Sequence, residues 1–167
     1  DTEYALPDSL SEIAPYAFTS FNLAKLIIPQ SLKTIGEYAF SGRIDSLIMK
    51  ETEVPKMPSF EGVFAKVGCI EINFNVPSGF FGGSDLEKAV LGNNVKSIGD
   101  DAFSNSRVIS VETSDSLTSI GNRAFLGSNL NEIDLSDSLE SIGESAFEGC
   151  PISVIELPDS LTSIGSG

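Results

Sequence analysis

The side chains able to do chemistry here are 24 carboxylates and two thiols, and not one of the 167 residues is a histidine. Without an imidazole, Ser-His-Asp and Cys-His catalysis and any histidine-containing zinc site are out of reach. What remains is carboxylate chemistry, either a pair of acids for sugar cleavage or oxygen ligands for calcium. Acidic pairs do occur, such as Asp100-Asp101 and Glu132 with Asp134. No tryptophan accompanies them as a sugar platform, and the Gly79–Ser84 run GFFGGS lacks the GxxxxGK[ST] pattern of a phosphate loop. Catalytic, cofactor-binding and metal-binding residues are therefore expected to be none. An enzyme is not expected.

The totals narrow the partners. A net charge of −14 repels phosphate backbones and anionic lipid, so no nucleic acid is expected to bind. No apolar run approaches the roughly 20 residues of a membrane span, so no membrane insertion is expected. A hydrophobic content of 41% and a mean hydropathy of +0.10 argue for a folded chain despite the charge. The charge is uneven: residues 1–83 carry 10 acids and 6 bases, residues 84–167 carry 14 and 4, and no Lys or Arg follows Arg123.

The elements that position these groups are repeats. A phenylalanine recurs as Phe18, Phe40, Phe64, Phe81, Phe103, Phe125 and Phe147, at spacings of 22, 24, 17, 22, 22 and 22. Five residues earlier stands Ile13, Ile35, Val76, Ile98, Ile120 or Ile142, usually followed by Gly. After the Phe comes an LxxIxL segment, as in Leu23-Leu26-Ile28 or Leu130-Ile133-Leu135. Alternation in IxL places Ile and Leu on one face, which is a short half-buried strand. A second short strand is expected in LxxI, a left-handed turn at the Gly, and a single helical turn before the Phe. One such coil cannot bury its own apolar edge and must stack on its neighbours. The fold class is a right-handed β/α repeat solenoid of about seven coils with a parallel concave sheet, roughly 34 Å long at 4.8 Å per strand step.

The unit LPxSLxxIGxxAFxGCxxLxxIxLP resembles the BspA-type leucine-rich repeats of bacterial surface proteins, also found in some parasitic protists. Glu140–Asp159 follows it almost residue for residue. The resemblance implies an extracellular or cell-surface location and adhesion to host matrix or cell-surface proteins. A structural spacer presenting another domain is the alternative. The chain reads as one domain over residues 1–167, expected to be a piece of a longer protein, with irregular coils over residues 50–85. There a kink or bulge is expected, with the strand through Ile70 and Ile72 kept. Neither end shows a polar cap, so end-to-end self-association is a further expectation.

Binding is assigned to the outward strand positions on the concave face. The candidates are Lys25, Ile27, Ile48, Lys50, Glu71, Lys88, Glu112, Glu132, Asp134 and Glu156. Basic and aliphatic residues gather toward the N-terminal coils, and acids toward the C-terminal ones, so a partner of complementary charge is expected. Asp115, Asp137 and Asp159 should stack as a solvated carboxylate column about 5 Å apart. Calcium would relieve their repulsion, but the nonapeptide GGxGxDxUx is absent. Cys150 is expected to be a buried free thiol and Cys69 a partly exposed one. They sit four coils or roughly 19 Å apart, too far to bridge.

Overall fold

The computed structural model describes residues 3–49 and 55–167. In chain order the strands are β1 (Glu3–Ala5), β2 (Glu12–Ile13), β3 (Leu23–Ile27), β4 (Thr34–Ile35), β5 (Phe40–Met49) and β6 (Phe64–Ile72). After them come β7 (Leu86–Leu91), β8 (Ser97–Ile98), β9 (Ser110–Glu112), β10 (Ser119–Ile120), β11 (Glu132–Asp134), β12 (Ser141–Ile142) and β13 (Ser163–Ile164). They form a parallel solenoid. Sheet one runs β1-β3-β5-β6-β7-β9-β11, and the short strands form a β2-β4 pair and a β8-β10-β12-β13 sheet. Lone bridges Thr34↔Lys56 and Val76↔Ile98 extend the second row into the irregular coils.

The period-two pattern decides which side of sheet one is the core. Leu26, Leu47, Ile70, Ala89, Val111 and Ile133 lie in register on adjacent strands and are all buried. The phenylalanine column stacks behind them: ring centroids are 5.0 Å apart for Phe18–Phe40, 4.8 Å for Phe81–Phe103 and 5.0 Å for Phe103–Phe125. Where the spacing drops to 17, the column jogs. Phe60 wedges between Phe64 and Phe81, at 4.9 and 4.7 Å. The irregular coils keep their strands, and β5 and β6 are the longest in the sheet, with a register shift between Phe40 and Arg43.

Two local expectations are corrected. Among the described residues there is no helical turn before the Phe. Positive φ at Tyr16, Tyr38, Gly79, Asp101, Arg123 and Ser145, two residues before the Phe, interrupts any helical run there. The Gly after the Ile is also not left-handed. Gly36, Gly99, Gly121, Gly143 and Gly165 are glycines because the preceding coil crowds them: a Cβ on Gly143 would lie 2.5 Å from Asn122 N, and one on Gly36 2.4 Å from Pro15 N. Close approach between coils, not turn conformation, selects them.

Candidate functional site

Alternation places two rows of side chains on the open face of sheet one. One row reads Lys25, Ser46, Cys69, Lys88, Ser110, Glu132, and the next Ile27, Ile48, Glu71, Val90, Glu112, Asp134. The second row passes from aliphatic to acidic along the stack. Ile27, Glu112, Glu132 and Asp134 are exposed, while Lys25, Glu71 and Lys88 are half-buried. Lys88 Nζ pairs with Glu112 Oε1 across neighbouring strands, and this hydrogen bond holds the ammonium above its ordinary pKa. Burial pushes the Cys69 thiol up.

Two candidates sit differently from the expectation. Ile48 is only 9% exposed, because its register neighbours Ile27 and Glu71 flank it on both sides. It is not available to a partner in the way its outward position suggests. Glu156 is not on a strand. Sheet one ends at β11, and Ser153–Leu157, where the repeat places the next strand, is irregular chain. Lys50 lies outside the described residues.

Arg43, Lys66, Lys88, Arg107 and Arg123 form ion pairs between coils. Arg43 Nε donates to Asp45 Oδ1 at 2.6 Å and Nη1 to Glu87 Oε1 at 3.1 Å, with Lys66 Nζ 3.5 Å from the same Glu87 oxygen. The Arg43 hydrogen bond holds the Glu87 carboxyl below its ordinary pKa. Arg123 does the same to Asp101 at 2.7 Å.

Asp115, Asp137 and Asp159 are exposed, and among the described residues no group of three His, Cys, Asp or Glu side chains is placed to hold a metal ion. Both cysteines are free thiols. Cys150 is half-buried rather than buried; its Sγ donates to Phe125 O at 3.0 Å and lies 3.4 Å from Ser128 Oγ. It ends a column of Ser84, Ser106 and Ser128, all buried. Ser31 Oγ and Ser160 Oγ donate to the backbone oxygens of Leu10 and Leu139 in the preceding coils.

The stacked rings of Tyr16 and Tyr38, 5.6 Å apart and 60% and 51% exposed, were not anticipated. Their 22-residue spacing was the available signal.

Among the described residues no helix is long and apolar enough to cross a membrane. No curated protein matches the chain. A family model described as the BspA type leucine rich repeat region matches residues 2–109 and 71–167, with 6 copies of the repeat. Such solenoids are a typical protein-interaction fold.

Proposed function

The chain belongs to the BspA-type leucine-rich-repeat family, and from that premise we propose that it is a non-catalytic protein-binding domain of a bacterial surface protein. Its role is adhesion to a matrix or cell-surface protein, through the open face of sheet one. The observation that carries the reading is the row Ile27–Ile48–Glu71–Val90–Glu112–Asp134, which offers the exposed Ile27 at one end and the exposed carboxylates of Glu112 and Asp134 at the other. Complementary charge on a partner would steer encounter and fix register.

The test is binding to a panel of matrix and cell-surface proteins at low and physiological salt. A salt-dependent hit lost when Glu71 and Glu112 are replaced by Lys supports the face as the site. A folded domain with no hit on any member favours a spacer that presents another domain.

A further inference from the structure

Sheet one is open beyond β11. The repeat places a strand there, since Leu130-Ile133-Leu135 recurs as Ile152-Ile155-Leu157. That segment instead stands off, with Val154 76%, Ile155 36% and Leu157 51% exposed, while the same coil's β13 remains paired with β12. A cleft of about 580 Å³ opens between them, lined by Glu132, Ile133 and Asp134 on one side and Val154, Glu156 and Leu157 on the other.

The cleft has the size and backbone chemistry of one missing strand. Four strand residues, about 13 Å long, 4.8 Å wide and 10 Å thick, fill about 620 Å³. Elsewhere in the sheet, Ile28 N donates to Ile48 O of the following coil, and Ile72 O accepts from Gly92 N of its following coil. Ile28, Ile72 and Leu135 occupy equivalent register positions. The N–H and C=O of Leu135 therefore face the cleft, and neither finds a partner among the described residues. Such an edge is a template for another strand.

We propose that this cleft takes an extended segment of a partner protein as an added parallel strand, with Lys or Arg at alternate positions and aliphatic residues between. The basic residues would stand beside Glu132 and Asp134, as Lys88 stands beside Glu112 in the same sheet. The aliphatic residue between them would meet Ile133. A second copy stacking head to tail is a poor occupant, because residues 3–24 carry no Lys or Arg and would bring acid to acid. The inference rests on the chain being a protein-binding domain, but not on the open face being its surface.

The test uses fluorescent Lys-Val-Lys-Val-Lys peptides, N-methylated at one alternate set of residues or the other, and read by anisotropy on the intact chain. One N-methyl set should abolish binding and the other leave it. Glu132→Gln with Asp134→Gln should weaken binding at least tenfold, and the Leu135 amide should gain hydrogen-exchange protection. Equal binding by both N-methyl sets would reduce the effect to charge attraction and overturn the proposal. So would self-association of the chain that occludes the cleft. Failure of every peptide, while a partner still responds to Glu71 and Glu112 substitutions, removes the edge site and leaves the open-face reading standing.

Discussion

Arg43 on β5 reaches Glu87 on β7, two strands away, by crossing β6 at Gly68, where a Cβ would lie 3.1 Å from Arg43 Nη2 and 2.7 Å from Asp45 O. The ion pair and the glycine are one device. Gly68→Ala should push the Asp45 backbone as well as the guanidinium. It should therefore destabilise the fold by about 1–3 kcal/mol, the usual size of an overpacking penalty. Urea unfolding of Gly68→Ala beside Arg43→Gln checks this, with the glycine change the larger.

The same pair gives a pH signature. Arg43 lowers the folded-state pKa of Glu87 below the unfolded value of about 4.3. Its stabilisation is therefore complete above about pH 4.3 and lost as pH falls through the depressed folded value. The gap in Tm between wild type and Arg43→Gln should be open at pH 7, smaller in high salt, and closed in strong acid.

Phe103 is fully buried between Phe81 and Phe125. Phe103→Ala should cost about 3–5 kcal/mol. Phe18 is only partly buried, so Phe18→Ala should cost clearly less. Denaturation midpoints of the two variants decide.

Two kinds of glycine should respond differently to asparagine. Gly79 has φ +66° and nothing within 4 Å of a built Cβ, so Gly79→Asn should be milder than Gly79→Ala. At Gly143 both substitutions should fail alike, because the obstacle is Asn122 backbone. Thermal melts of the four variants test the distinction.

Ser106 Oγ is buried without a partner, whereas Ser84 Oγ donates to Phe81 O at 2.7 Å. Ser106→Ala should be neutral or stabilising, and Ser84→Ala should cost about 1 kcal/mol. Equal losses at both positions would show that Ser106 is satisfied in solution.

Spacing in the sequence revealed the strands, their inward residues and the phenylalanine column, because those side chains are selected once per coil for the same packing. It did not reveal the Phe60 wedge, which arises where the period breaks and which no neighbouring coil repeats. It named the glycines after Ile correctly but not their cause, since a residue type does not say whether conformation or crowding selected it. Arg43–Glu87 spans 44 residues and depends on an intervening Gly, so no local pattern announces it. At the candidate site, alternation placed Glu112, Glu132 and Asp134 on the open face. It also put Ile48 there without registering that neighbours on two flanking strands cover it. The pattern at Ile152–Leu157 repeats that of Leu130–Leu135, and only three-dimensional packing separates a paired strand from a splayed one.

The parallel order of sheet one also sets how the molecule would answer a pull between its ends. Apart from Arg43–Glu87, which spans two strand steps, the coils bond to the coil before and the coil after, so load would reach one interface at a time and open the stack like a zipper, without shearing the whole sheet together. Each coil released would add roughly 70 Å of slack, about 22 residues at 3.3–3.4 Å each less one strand step. A stretched chain would thus lengthen in similar steps, and the interfaces flanking the Phe60 wedge would mark where the series is uneven.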